Sequence, residues 1–299
     1  MAGASFRQLL ARHDAGNPLL VPGATHAFMA KLIQDAGFEA LYVSGAGTAA
    51  TIFGLPDVGL MTMTELVENV SRINDATDIA IFADADQGFG NAVNVIRTVR
   101  EYEKAGASAI QIEDQTFPKK CGHMDGKSVV SLEEMVGKIR AACDARTDPE
   151  TIIVARTDAR ATEDMDRAIR RAVAYAEAGA EVIFPEAMRT EEEFARMAQE
   201  LEGVPLVANM TEWGKSPVVD AKSLGEMGYR IVIFPSAPMR AAQQAIVDVL
   251  VELREHGTQR GLLDRMYHRK ELYRLVGLDD IYAAEERYIP ARTSDAAAS

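Results

Sequence analysis

The run Pro118-Lys119-Lys120-Cys121-Gly122-His123-Met124-Asp125-Gly126-Lys127 gathers a thiol, an imidazole and several amino groups into one turn-rich segment. Residue types in that company suit proton transfer beside an anion. Basic neighbours favour the thiolate of Cys121, and Gly122 and Gly126 let the backbone turn tightly or close over a ligand. A solvated basic loop with an incidental cysteine is the competing reading. Upstream, Ile79-Ala80-Ile81-Phe82-Ala83 leads into Asp84 and Asp86, and Ala109-Ile110-Gln111-Ile112 leads into Glu113, so two apolar runs deliver acids at their C-terminal ends. Clustered carboxylates of this kind are the oxygen donors a hard divalent cation takes, Mg2+ first and Mn2+ second. Arg156 and Arg240 can each hold a carboxylate through a planar fork, with Asn209 and Thr211 adding neutral hydrogen bonds.

Something must bring these residues together. Short apolar runs recur along the chain at Leu19–Gly23, Ala40–Ser44, Ile79–Ala83, Ala109–Glu113, Ile152–Arg156, Val182–Glu186, Pro205–Asn209 and Ile231–Pro235, separated by helical patterns that stop at Gly37, Gly106, Gly179 and Gly228. Continuous apolar strands alternating with amphipathic helices imply a parallel sheet covered on both faces, and eight such units imply an α/β fold of the closed (β/α)8 type. In such a barrel the strands' C-terminal ends form the site. They end in Ser44-Gly45-Ala46, Asp84 with Asp86, Glu113, Arg156, Glu186, Asn209 with Thr211, and Pro235. An N-terminal helix is expected over 5–15, with Phe6, Leu9 and Leu10 on one side, and a C-terminal helical extension over 258–290. Within the C-terminal part, helices are expected over Ala241–Glu255 and Leu262–Leu275, followed by a small polar tail from Arg292.

The 299 residues, 47% of them hydrophobic, suffice for one barrel domain, and the net charge of -13 argues against nucleic acid or an anionic membrane as partner. Two cysteines, no signal-peptide core and no apolar run near the roughly 18 residues that span a bilayer point to a cytoplasmic protein. Gly88-Phe89-Gly90 lacks the dinucleotide fingerprint.

Lys119-Lys120-Cys121-Gly122-His123 after Ile112-Glu113-Asp114-Gln115, with Asp84-Ala85-Asp86-Gln87-Gly88-Phe89-Gly90 before it, resembles the isocitrate lyase and phosphoenolpyruvate mutase superfamily. The resemblance covers roughly residues 20–275, and its cysteine loop belongs to the lyase side. Among short-chain members the sequence is most similar to the 2-methylisocitrate lyases of propionate catabolism and the methylcitrate cycle. It implies Mg2+-dependent retro-aldol cleavage of 2-methylisocitrate to pyruvate and succinate, with Cys121 as general acid tuned by His123. The base stays open among Tyr42, a metal-bound water and Glu186. By the same resemblance Asp84 binds the ion directly, Asp86 and Glu113 act largely through water, and Asp57 matches a further acid near the metal. Substrate contacts fall on Ser44, Gly45, Ala46, Gly122, Arg156 and Glu186, and further on Asn209, Met210, Thr211 and Arg240. Arg269 matches another contact, carried on a C-terminal helix exchanged between subunits of a homotetramer. Trp213 stands where phenylalanine is usual, and Met124 where many methylisocitrate lyases carry arginine. 2,3-Dimethylmalate lyase, isocitrate lyase, carboxyphosphonoenolpyruvate phosphonomutase, oxaloacetate decarboxylase and a non-catalytic ligand-binding barrel are the alternatives.

Overall fold

Aliphatic runs three to six residues long form eight strands: β1 Leu19–Ala24, β2 Ala40–Val43, β3 Ala80–Asp84, β4 Ala109–Glu113, β5 Ile152–Thr157, β6 Val182–Pro185, β7 Val207–Asn209 and β8 Ile231–Phe234. In the computed structural model, which describes residues 3–14 and 16–289, all neighbouring strands pair in parallel and β1 pairs with both β2 and β8. Between β6 and β7 the circle is completed by a single parallel bridge, Ile183 to Leu206. The architecture is thus the expected (β/α)8 barrel, nearly closed. Residue 15, residue 290 and the tail from Arg292, which end the expected N-terminal helix, the expected extension and the chain, lie outside the described residues.

Each strand has two faces, and both are buried except at Leu20 of β1 and at the mouth ends of β7 and β8. One alternate set, including Leu41, Val43, Ile81, Ile110, Ile112, Ile153 and Val232, packs against the surrounding helices. The other set points into the barrel and fills it with Val21, Tyr42, Phe82, Ile152, Val154, Phe184 and Ile233, among others. Surrounding helices begin where Thr62, Ser131, Asp164, Thr190 and Asp220 each accept a hydrogen bond from a first-turn N–H. After several of them the chain turns on a glycine at positive φ, as at Gly106, where a Cβ would also collide with Asn74.

The N-terminal helix Phe6–Arg12 seals the barrel interior. Ser5 and Gln8 form a capping box, and Phe6, Leu9 and Leu10 join the inner cluster, with the Phe6 ring centroid 5.4 Å from that of Phe82. Its attachments lie just before the strands start: Ser5 Oγ donates to Glu150 at 2.6 Å and Arg7 pairs with Glu181. The helix therefore covers the end opposite the strand C-termini.

The chain falls into two compact units, Met1–Gln243 and Gln244–Ser299. The helix Ala237–His256 starts in the first and ends in the second, opening four residues before the expected Ala241. The single second helix expected over Leu262–Leu275 is instead a 3-10 turn, Arg260–Arg265, followed by a separate helix, Arg269–Leu275. His268 causes the restart, because its Nδ1 accepts from Lys270 N at 3.1 Å as an N-cap. Gly277, in the left-handed region, then separates the helix Leu278–Tyr288. Among the described residues no helix is long and apolar enough to cross a membrane.

Phe6→Ala removes the largest side chain of the seal from a fully buried position and should cost about 3–5 kcal/mol. Urea unfolding followed by circular dichroism checks this; an unshifted midpoint would show that the helix is not part of the barrel core.

Candidate active site

Inward-facing residues alternate along every strand, so the next inward position past the apolar filling falls at the barrel mouth. Those positions are Ser44 after Ala40 and Tyr42, Asp84 after Phe82, Glu113 after Ala109 and Gln111, and Arg156 after Val154. Glu186 follows Phe184 in the same way, Asn209 follows Val207, and Pro235 follows Ile233. All of them but Glu113, which reaches the site through its contact with Arg156, line a cavity of about 150 Å3 together with Ala46, Asp57, Lys119, Cys121, Gly122, His123, Thr211 and Arg240. A larger depression of about 440 Å3, at His13, Asn17, Phe38 and Lys222, brings together no comparable set of acids, bases and nucleophiles.

The acids do not stand alone. Asp84 accepts from Gly45 N and Asp86 N, each at 3.1 Å, and from Gln111 Nε2 at 3.0 Å; Gln111 Oε1 in turn accepts from the Tyr42 hydroxyl. Lys119 turns inward between Asp57 and Asp86, with Nζ 2.7 Å from Asp86 Oδ1. Burial opposes its charge, yet Asp86, Asp57, Glu113 and Asp84 outweigh burial and hold Lys119 protonated. Burial pushes Asp86 up to about 6 against the pull of Lys119, and pushes Glu113 well above its ordinary value against the pull of Arg156. Among the described residues no three His, Cys, Asp or Glu side chains are spaced as a ready ligand set. The donor chemistry still fits a hard cation. Asp84, Asp86 and Glu113 offer only oxygen, and Glu113 Oε1 is buried without a hydrogen-bond partner.

Opposite the acids, Arg156 is nearly enclosed. Its Nε lies 3.0 Å from Asp158 Oδ2 and 3.4 Å from Glu113 Oε2, and its Nη1 lies 3.4 Å from Glu186 Oε2. Glu186 also accepts from Asn209 Nδ2 at 3.1 Å and meets His123 Nε2 at 3.2 Å. Burial works against its charge, but Arg156 and His123 hold Glu186 far below the usual carboxylate range. Because His123 Nδ1 accepts from Lys215 N at 2.9 Å, the neutral ring carries its proton on Nε2, toward Glu186.

The cysteine loop differs from its reading in sequence. Burial raises the Cys121 thiol above its ordinary 9.0, and the His123 backbone N–H only partly offsets that rise. Its lysine neighbours do not favour the thiolate, because each is engaged elsewhere: Lys119 with the acids, Lys120 on Gly126 O, and Lys127 on Asp158 and Gly122 O. Gly122 permits the approach. A Cβ there would lie 2.3 Å from Arg156 Nη2 and 2.8 Å from Glu186 Cγ, so a side chain would displace the turn from the mouth.

Not every expected contact gathers here. Met210 turns away into the outer core, with its sulfur accepting from Val219 N at 3.3 Å. Gly45 takes part through its backbone N–H on Asp84. Arg240 Nη1 donates to Glu212 O at 2.6 Å and stacks over Trp213, its Cζ 5.1 Å from the ring centroid. Arg269 is exposed, belongs to the C-terminal unit, and is not among the residues lining the cavity. Sequence reasoning placed Asp158 at a strand end and Lys127 in the cysteine loop without a role for either, and it missed Gln111, Ser236 and Met239 as parts of this neighbourhood. For Gln111 a signal existed: it is a polar residue at an inward position of an otherwise apolar strand.

Comparison with known proteins agrees with this geometry. The family model for phosphoenolpyruvate phosphomutase matches residues 6–254. A 2,3-dimethylmalate lyase of Eubacterium barkeri is 47% identical over 97% of this chain and 99% of its own, and a 2-methylisocitrate lyase of Aeropyrum pernix is 48% identical over 93% and 88%. Among solved structures, a 2,3-dimethylmalate lyase superposes with a TM-score of 0.88 at 33% identity, covering 98% of this chain and 97% of that one. A phosphonopyruvate hydrolase solved with oxalate and Mg2+ superposes with a TM-score of 0.85 at 35% identity, covering 95% and 99%. On the strength of its barrel-mouth acids, its cysteine loop and these similarities, the chain belongs to the phosphoenolpyruvate mutase and isocitrate lyase superfamily, among the carbon–carbon lyases related to 2-methylisocitrate lyase.

Proposed function

We propose that the protein is a Mg2+-dependent lyase that cleaves 2-methylisocitrate to pyruvate and succinate, with Cys121 as the general acid. The observation that carries this reading is the placement of Cys121 on the wall of the cavity it shares with Arg156 and Glu186, where a carbanion formed by carbon–carbon cleavage needs a proton; burial, which disfavours the thiolate, suits the thiol to give one. When bound by Asp84, Asp86 and Glu113, with Asp57 nearby, Mg2+ (or Mn2+) supplies Lewis acidity to a 2-hydroxy carboxylate. The chain's own groups do the rest. Arg156 orients a carboxylate of the leaving half, the hydroxyl proton departs to a base, and the electrons of the broken bond collect on the carbon next to that carboxylate. Cys121 Sγ–H gives its proton to this carbon and is left as thiolate. Tyr42 is ill suited to be the base, because burial and Asp84 keep its phenol neutral and its O–H donates to Gln111. Glu186 is ionised and faces His123, but the pairs that hold it far below the usual carboxylate range make it a weak base, so its part is to orient His123 and Arg156. Closing the loop over the cavity excludes water from the carbanion.

A substrate with two carboxylates is the second reading, as in 2,3-dimethylmalate. The Eubacterium barkeri relative supports it, and so does the engagement of Arg240 by Glu212, at 3.3 Å between side chains, which occupies the arginine a third carboxylate would meet.

The C-terminal unit carries the assembly proposal. None of its described side chains is buried, and Ile246, Val247, Leu250, Val251 and Leu253 put an apolar surface on one helix. A second copy would cover it, in a homotetramer whose C-terminal helices are exchanged and bring Arg269 to a neighbour's site. The two free cysteines suit a reducing cytoplasm.

With Mg2+, 2-methylisocitrate yields pyruvate and succinate, and Arg240→Met raises KM for that substrate while leaving 2,3-dimethylmalate unaffected; turnover of dimethylmalate alone would decide for the second reading. Cys121→Ser lowers kcat by about 10²–10⁴-fold. Because the acid must be protonated and burial raises its pKa in the substrate-free protein, the alkaline limb of wild-type kcat/KM lies above the ordinary thiol range, and a limb near neutrality would remove Cys121 from the role. Light scattering gives four times the chain mass, whereas a monomer would refute the exchanged assembly.

A further inference from the structure

The segment between β4 and the helix Leu132–Ala145 leaves the barrel, carries Cys121 across the mouth and returns. Its base is fastened independently of its tip. Val130 N donates to Asp114 O at 2.8 Å, Thr116 N donates to Ser128 O at 2.9 Å, and Gln115 and Val129 form a bridge. The Gln115 side chain then grips Lys120 twice, accepting from its N–H at 2.9 Å and donating to its carbonyl at 2.8 Å. Arg171 adds a bond to Val130 O at 3.0 Å.

Beyond Lys120 the far side of the turn rests on the β7 side of the mouth, where His123 meets Lys215 N and Glu186 and the exposed Asp125 pairs with Lys215 Nζ at 2.6 Å. The near side, at Cys121 and Gly122, is tied by Lys127. Its side chain is 1% exposed, its Nζ lies 2.5 Å from Asp158 Oδ1, and it also donates to the carbonyl of Gly122, the residue after Cys121. Asp158 is fully buried and is itself shared, accepting from Arg156 Nε at 3.0 Å and Nη2 at 3.2 Å. One carboxylate thus serves both the arginine that meets the substrate and the lysine that holds the catalytic turn.

We propose that Lys127 is the positioning residue of the catalytic loop: bound to Asp158 and to the Gly122 carbonyl, it seats Cys121 over the cavity and ties that seating to the orientation of Arg156. Lys127 touches no reacting atom. Its effect passes through Gly122 on one side and Asp158 on the other. Loss of the latch loosens the turn at Cys121 and Gly122 while leaving the base of the loop and the His123 and Asp125 contacts fastened, so the thiol becomes accessible and misplaced without unfolding of the barrel. The inference rests on Cys121 being the acid, but the loop can be read without any substrate.

The test measures alkylation of Cys121 by iodoacetamide in the substrate-free protein, with peptide mapping to separate it from Cys143. Lys127→Met is expected to raise the rate at Cys121 several-fold and leave Cys143 unchanged. With the substrate identified above, the same variant is expected to lose about 100-fold in kcat, the cost of a small misplacement of a reacting group, with a much smaller change in KM. Removing one partner of a buried pair leaves Asp158 uncompensated, so Lys127→Met/Asp158→Asn, which removes both charges, is measured alongside and is also expected to expose Cys121. Wild-type alkylation in whichever variant retains the native circular dichroism spectrum overturns the proposal. Faster alkylation with no turnover of any candidate substrate, even in the wild type, would uphold the latch and reject the lyase reading instead.

Discussion

Charge balance at the mouth of the barrel governs the rest of the site. Asp84, Asp86, Glu113, Asp158 and Glu186 are buried there, against the buried cationic side chains of Lys119, Lys127 and Arg156. Taking a carboxylate out of water is costly unless it is paired, and here the acids outnumber their partners. The deficit shows in the raised Asp86 and Glu113 and in the unpartnered Glu113 Oε1. A site built this way attracts positive charge on one side, where the acids crowd around Lys119. On the other side Arg156 is so enclosed by carboxylates that an incoming anion must compete with Asp158, Glu113 and Glu186 for it.

That balance also explains why the thiol is neutral. The charges that would have favoured a thiolate are committed to pairs within the protein, and Asp57 and Glu186 act on Cys121 in the opposite sense to Arg156. A cysteine in a lysine-rich stretch of sequence therefore ends in surroundings dominated by burial. Proton donation, rather than nucleophilic attack, is the chemistry such surroundings favour.

Most of the barrel was legible because parallel strands buried on both faces leave uninterrupted apolar runs, and Ala109–Glu113 was found to its last residue. The mouth residues were legible for a related reason: a polar side chain that ends such a run on the inward parity has nowhere to point but the axis. What could not be read was the direction taken by long side chains. Nothing local distinguishes Lys119, which dives between two acids, from Lys120, which closes a turn on Gly126. The same holds for Met210, adjacent to Asn209 yet on the opposite face. The break before Arg269 escaped notice because histidine is an uncommon cap and the apolar spacing continues across it.

The barrel's incomplete closure has its own consequence. Between β6 and β7 the backbone supplies one bridge, at Ile183 and Leu206, and above it Asn209 reaches across to Glu186. Strand-to-strand cohesion there is lent in part by two of the groups that face the ligand. Occupancy of the cavity and integrity of this seam are accordingly one equilibrium: a molecule that bridges Asn209 and Glu186 acts as a rivet between the first and last thirds of the sheet, and a molecule that parts them loosens the cylinder along its length.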